Sequence, residues 1–302
     1  MHAEPAAVRV ATMNFVVFVD DPGHREWVLE RAQRVAAKHP CRLVVLDATG
    51  TTTGVAIAGG RHDVGVMALD AAAILSLAKE HTVGDVPTIL WWNGTELLGS
   101  ETFARLAEIA QTVVVDSSGL ERGEARIKDL GEFLTMHPAV VLHDLAFMRL
   151  GPWMDMIAQF FDDPALREDL FSINSLRIES GSDAEACYLA GWLGSRLSWQ
   201  PVDAYAFRAR DGRPVSLTHE IKGDVRRVLS VVLSSDDSTY TAALSDDPNT
   251  VCLSVAGAKA KATRCAPLQN VDNVSLIERA LLKNAHDRIF ETSLETVREL
   301  LC

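Results

Sequence analysis

The tetrapeptide Asp116-Ser117-Ser118-Gly119 directly follows the apolar run 112–115. If that run is a strand of a parallel sheet, the tetrapeptide lies at its carboxyl end, where open α/β sheets bind ligands. A carboxylate and two hydroxyls there would suit a sugar phosphate or a nucleotide. The same residues also end strands, turn chains and cap helices, because their short side chains bond free N–H groups. Turn and cap is the simpler account. Gly54, Gly59 and Gly60 also follow an expected strand, but neither G-x-G-x-x-G nor Gly-Lys-Ser/Thr occurs, so turns explain them better than a phosphate cradle. His219-Glu220 opens like the zinc motif H-E-x-x-H, yet position 223 is Gly. No G-x-S-x-G elbow is present either. The expectation is a chain without catalytic residues, metal ligands or a bound cofactor.

Two further segments stand out. Between Asp144 and Asp162, Leu145, Met148, Pro152, Trp153, Met156, Ile157, Phe160 and Phe161 share one broad helical face, with Gly151-Pro152 dividing the element. Arg149 and Trp153 are four apart, so on a continuous helix the guanidinium would lie over the indole and still offer its fork to a carboxylate. The segment reads either as a staple between domains or as a partner-binding surface. In 186–199, Ala186, Ala190 and Gly194 run beside Cys187, Gly191 and Ser195 as two rows of small residues. Glycine costs about 1 kcal/mol relative to Ala inside a helix, so these rows predict close packing against a sheet or another helix.

The elements that must position these residues follow from periodicity. Val8 to Asp20 reads as a strand, His24 to Lys38 as a helix stopped by His39-Pro40, and Arg42 to Asp47 as a buried strand. The alternation continues with strands at 87–92 and 112–116 and a helix at 101–110, which implies a mostly parallel, Rossmann-like sheet. Residues 55–68 allow two short strands, with Asp70 capping a helix over 71–79. A helix is expected at 121–134. Strand-like runs at 171–179, 202–208, 215–221, 227–233, 239–244 and 250–255, separated by turns such as Asp246-Asp247-Pro248-Asn249, imply an antiparallel meander with a helix at 183–197. From 271 the chain is helical, with Ser275 and Glu278 at capping-box spacing. The blocks are an α/β domain over 1–140, a helical connection over 141–170 and an α+β domain over 171–302.

Composition narrows the partners. With 41 acidic against 29 basic residues the formal charge is −12, a field that repels nucleic acid and anionic membrane surfaces. The N-terminal ten residues hold no signal-peptide core, and no apolar run approaches the roughly 20 residues of a membrane helix, so a cytoplasmic protein is expected. Five scattered cysteines without a CxxC pair suit a reducing compartment and read mainly as buried thiols. Nothing in the sequence bears on self-association.

An ordered set of motifs resembles the OpcA glucose-6-phosphate dehydrogenase assembly family. His39-Pro40-Cys41-Arg42, Trp91-Trp92 with Gly94, and Val115-Asp116-Ser117-Ser118 come first. Asp144-Leu145-Ala146, Arg149-Leu150, Pro152-Trp153 and Phe161-Asp162 follow, then Leu189-Ala190-Gly191-Trp192-Leu193, Ser195-Arg196-Leu197 and Trp199. The resemblance implies a non-catalytic assembly factor or allosteric activator that binds glucose-6-phosphate dehydrogenase and so supports NADPH supply in the oxidative pentose phosphate pathway. Asp144, Arg149, Trp153, Trp192 and Arg196 are its candidate partner or interdomain contacts. Phe147 and Met154 depart from the family pattern, which has Trp and Arg there. Redox control is associated with some relatives; here only Cys252 and Cys265 form a candidate pair, and a weak one.

Overall fold

The computed structural model describes residues 11–50, 54–58, 64–65, 71–119, 123–203, 205–223, 227–257, 261–283 and 285–301. Asp70, Gly59, Gly60 and Cys302 lie outside them. In chain order the elements begin with β1 (Met13–Val19), α1 (Arg25–Lys38), β2 (Cys41–Asp47), β3 (Gly54–Ala58) and β4 (Val64–Gly65). Next come α2 (Ala71–His81), β5 (Thr88–Asn93), α3 (Glu101–Ala107), β6 (Thr112–Val115), α4 (Gly123–Met136) and β7 (Val141–Asp144). Four helices and a strand follow: α5 (Leu145–Arg149), α6 (Gly151–Ala158), α7 (Pro164–Arg167), β8 (Ser175–Ser180) and α8 (Asp183–Leu197). Then β9 (Gln200–Asp203), β10 (Ala206–Arg208), β11 (Pro214–Ile221), β12 (Val228–Ser234), β13 (Ser238–Leu244), β14 (Thr250–Gly257) and β15 (Lys261–Pro267) precede α9 (Asn273–Leu282) and α10 (Arg288–Leu300).

These elements form two compact units. The first takes residues up to Val115, His137–His143 and Asn273–Ala285; the second takes Asp116–Met136, Asp144–Asp272 and residues from His286 onward. Both are discontinuous in sequence, whereas the order of elements read from periodicity suggests three consecutive blocks.

The first unit is built on a seven-stranded sheet of order β4-β3-β2-β1-β5-β6-β7. The pairs β1–β2, β1–β5 and β5–β6 are parallel, and β3 and β4 add an antiparallel edge. Phe15 to Val19 and Leu43 to Leu46 are buried at every position, as expected of strands covered on both faces. Val28, Ala32 and Val35, at i, i+4 and i+7, are the buried face of α1. Lys38 of α1 pairs with Glu278 of α9 at 2.7 Å. Ser275 sits inside α9, which begins at Asn273, so the capping-box expectation fails there. In α10 the cap is Asp287, which accepts from the Ile289 and Phe290 amides at 3.0 and 3.3 Å.

The second unit contains an eight-stranded sheet of order β15-β14-β13-β12-β8-β11-β10-β9, antiparallel except for the β8–β11 pair. Alternating burial along β12, β13 and β14 marks one covered face. The apolar segment after Asp144 is broken, as expected, with Pro152 in the first turn of α6. Its end packs on the sheet: the rings of Phe160 and Phe161 lie 5.6 and 4.9 Å from that of Tyr240. The small-residue rows of α8 also do as predicted. A β-carbon on Gly191 would lie 2.3 Å from Val297 Cγ2 and 2.5 Å from the Ser293 carbonyl, so α10 approaches α8 where only glycine fits.

The cysteines require a correction. Cys252 and Cys265 are direct cross-strand partners on β14 and β15 and form a disulfide. Cys187 is a buried thiol and Cys41 a half-buried one. Cysteine usage therefore does not argue for a reducing compartment. No helix among the described residues is long and apolar enough to cross a membrane.

Candidate functional site

The residues singled out by type converge within the second unit. After β6 the chain turns through a single 3-10 turn at Ser117–Gly119. Asp116 shapes that turn by accepting from the Ser118 hydroxyl at 2.7 Å and the Ser118 amide at 3.3 Å. Asp144, the last residue of β7, caps α5 by accepting from the Ala146 amide at 2.9 Å. Its carboxylate also accepts from the Ser117 amide at 3.1 Å and the Tyr188 hydroxyl at 2.7 Å. One buried aspartate thus joins the turn after β6, the start of α5 and the second turn of α8.

Arg149 closes the cluster. It ends α5 and sends a bidentate fork to Asp116, with Nη2 donating to Oδ1 at 2.6 Å and Nη1 to Oδ2 at 3.0 Å. Nη2 also donates to the Ser118 hydroxyl. The Glu185 carboxylate, in the first turn of α8, stands 3.6 Å from the same nitrogen. The Arg149 and Asp116 side chains are 19% and 18% exposed, and Glu185 is 1% exposed, so these charges interact with little help from water.

Electrostatics follow from that burial. Desolvation, with the Asp116 charge nearby, pushes the Asp144 carboxyl up to about 6 against the hydrogen bonds from Tyr188 and Ser117. Burial likewise raises Glu185, with Arg149 opposing. For Arg149, burial disfavours the cation, but Asp116, and behind it Glu185 and Asp144, more than restore it. Burial and the Asp144 charge push the Tyr188 phenol well above its ordinary value, so it remains a donor.

The expected residues therefore have different fates. Asp116, Ser117, Ser118, Asp144 and Arg149 form one network, and Ser117 and Ser118 are buried. The groups proposed as a ligand-binding edge are turned onto Arg149 and Asp144. Trp153 is 3% exposed in the core. The cation–π pair among the described residues is Arg31 over Trp27, at 4.1 Å, while the Arg149 fork goes to Asp116. Trp192 is half-buried and Arg196 exposed on later turns of α8, apart from the hydrogen bonds of the cluster. Phe147 packs edge-on against Tyr188, with ring centroids 5.5 Å apart. His219 bonds the Ser180 hydroxyl at 3.0 Å, and no group of His, Cys, Asp and Glu among the described residues could hold a metal. Glu185 and Tyr188 escaped the sequence reading. Ser182-x-x-Glu185 has capping-box spacing, the one local signal that could have drawn attention to Glu185.

Comparison with known proteins adds the family. Residues 32–132 match the model described as the glucose-6-phosphate dehydrogenase subunit N-terminal domain, and residues 140–294 match the corresponding C-terminal domain. Cyanobacterial proteins carrying the provisional name OxPP cycle protein OpcA are similar. That of Nostoc punctiforme is 36% identical over 148 residues, which is 48% of this chain and 31% of the relative. That of Synechococcus elongatus is 25% identical over 252 residues, 74% of this chain and 56% of the relative. The chain thus spans less than two thirds of the curated relatives it matches. Among solved structures, the 3-ketoreductase KijD10 of Actinomadura kijaniata aligns with a TM-score of 0.55 at 10% identity, covering 96% of this chain and 95% of that one. A protein from Desulfitobacterium hafniense described as an NADPH-dependent oxidoreductase aligns with a TM-score of 0.53 at 9% identity, covering 96% and 94%. At such identities the likeness concerns the fold alone.

Proposed function

Because the chain belongs to the OpcA family of glucose-6-phosphate dehydrogenase subunits, we propose that it binds glucose-6-phosphate dehydrogenase and raises its activity or stabilises its oligomer, without itself catalysing a reaction. The observation that carries this reading is the match to both domain models of the family, in order, over 32–132 and 140–294. An activator must bind one state of its target better than another, since equal affinity shifts nothing. The buried cluster supports such a role indirectly. Asp116 accepts from Arg149 and Ser118, and Asp144 from Ser117, Ala146 and Tyr188, so these residues act as positioning residues for α5 and α8. Arg196 and Trp192, more exposed on α8, are the first side chains to test for direct contact.

The test is an assay of the cognate dehydrogenase at subsaturating glucose 6-phosphate, with and without this protein, together with a mass measurement of the dehydrogenase oligomer. Higher activity, tighter substrate binding or a heavier, more stable oligomer is expected. No change in any of the three would sink the proposal. Arg196→Glu should weaken the effect while leaving the melting temperature of this protein unchanged.

A further inference from the structure

Within the second unit a cavity of about 250 Å³ is lined by Glu185 at the start of α8, Arg227 before β12, Trp153 of α6, and the loop residues Asn249, Leu268 and Gln269, with Arg149 at its wall. Two of these side chains carry buried polar atoms without a well-formed hydrogen bond from the protein. Glu185 is 1% exposed; Arg149 pairs with its carboxylate at 3.6 Å and the Ser182 side chain bears on it, yet neither carboxylate oxygen receives a hydrogen bond of good geometry from the protein. The Arg227 Nε is also buried without a partner, although its Nη1 donates to the Pro248 carbonyl at 3.3 Å. Buried polar groups in folded proteins are nearly always satisfied, and each failure costs about 1–3 kcal/mol, more where the group is charged. An unsatisfied acceptor and an unsatisfied cationic donor facing one cavity therefore point to an occupant.

The chemistry of the two groups restricts that occupant. A carboxylate accepts only, so Glu185 requires a hydroxyl or an ammonium donor. A guanidinium donates only, so Arg227 requires an acceptor, preferably an anion. A simple amine would satisfy Glu185 but meet the positive charges of both Arg149 and Arg227 in the same cavity. A bare inorganic anion would satisfy Arg227 and face the Glu185 carboxylate with no donor to offer it. One molecule bearing hydroxyls at one end and an anionic group at the other answers both. The volume is below the roughly 300 Å³ at which sites for larger ligands begin, so the molecule is small. The carboxamides of Asn249 and Gln269 supply further neutral donors and acceptors, and Trp153 and Leu268 give an apolar wall for its C–H surface.

We propose that this cavity is a binding site for a small hydroxylated anion of the sugar-phosphate or sugar-acid class, its hydroxyls on Glu185 and its anionic group on Arg227. The site adjoins the Asp116–Ser118 edge through the shared Arg149, whose fork is turned onto Asp116, and takes its polar groups from Glu185 and Arg227 instead. It does not rest on the assembly role, and it is tested without any dehydrogenase. Failure of one leaves the other standing.

The test is calorimetric titration and thermal shift of the full chain with glucose 6-phosphate, glucose and inorganic phosphate, each up to about 10 mM, a range that reaches millimolar dissociation constants. The expected result is saturable binding of glucose 6-phosphate and much weaker responses to glucose and to phosphate. Arg227→Ala should weaken binding by about tenfold or more, and Glu185→Gln, which keeps the shape and removes the charge, by several-fold. The unliganded melting curve of each variant reports that it is folded. No response to any probe, equal affinity for glucose 6-phosphate and phosphate, or indifference to both substitutions would overturn the proposal.

Discussion

The Tyr188 hydroxyl donates to Asp144 Oδ2 at 2.7 Å, and both side chains are fully out of water. The bond ties α8 to the residue that caps α5 and bonds the turn after β6. Its acceptor is a carboxyl held near 6, well above the ordinary 3.8.

That displacement fixes the sign of a pH effect. Between about pH 4 and 6 the unfolded chain has lost the Asp144 proton while the folded protein retains it, so stability falls as pH rises through this window and is level above it. A shift of about two units corresponds to an effect on the order of 3 kcal/mol. Urea unfolding across the window should show this component in the wild type and not in Asp144→Asn. An identical pH slope in the two proteins would contradict it.

The fork between Arg149 and Asp116 predicts strong coupling. Removing one partner of a largely buried pair leaves the other charge exposed to a low dielectric, at a cost of about 3–5 kcal/mol. Arg149→Met and Asp116→Asn should each destabilise by that order. The double variant should lose less than the sum, by about 1–3 kcal/mol in a denaturation cycle. Additive losses would mean that the pair is not coupled.

Close approach of α8 and α10 makes Gly191 a sharper test than Gly194. An added methyl at Gly191 meets the Ser293 backbone carbonyl at 2.5 Å, which cannot move without the helix. At Gly194 it meets the Phe207 ring edge and the Thr296 methyl, both at 3.0 Å. Gly191→Ala should cost about 1–3 kcal/mol, the range for overpacking, and Gly194→Ala clearly less. Their melting temperatures rank the two.

Reduction of the Cys252–Cys265 disulfide releases a crosslink between residues 13 apart. For loops near this length the stabilisation is about 3 kcal/mol. Cys252→Ser, or the wild type in reductant, should melt lower, and reductant should not lower the variant further.

Much of the fold was legible because its strands are apolar runs bounded by turns. The strands β1, β2, β5 and β6 and the helix α1 declare themselves this way, and the β12–β14 meander does so by alternation. The run 202–208, which reads as one strand, is two, β9 and β10, divided near Tyr205 at φ +62°, and two further strands were not legible. β7 is only Val141 to Asp144 and runs straight into an apolar helix, so its strand character is set by its place beside β6. β15 reads Lys-Ala-Thr-Arg-Cys-Ala-Pro, is exposed along most of its length, and is a strand because β14 offers an edge to pair with. At the site, Asp116, Asp144 and Arg149 were visible as residue types, but their convergence spans 33 positions and no local pattern encodes it. Glu185 was hidden because an acidic residue in a first helical turn is ordinary in sequence and becomes unusual only when buried.

The chain passes from one unit to the other at 115–116, 136–137, 143–144, 272–273 and 285–286. A ribosome therefore releases the parallel sheet long before α9, the helix that lies against α1, has been made. The unit begun first cannot be completed until residue 285 has emerged, by which time most of the second unit exists. Completing one unit before the other begins is therefore closed to this connectivity. A single cut anywhere between residues 117 and 285 would leave neither unit whole in either half.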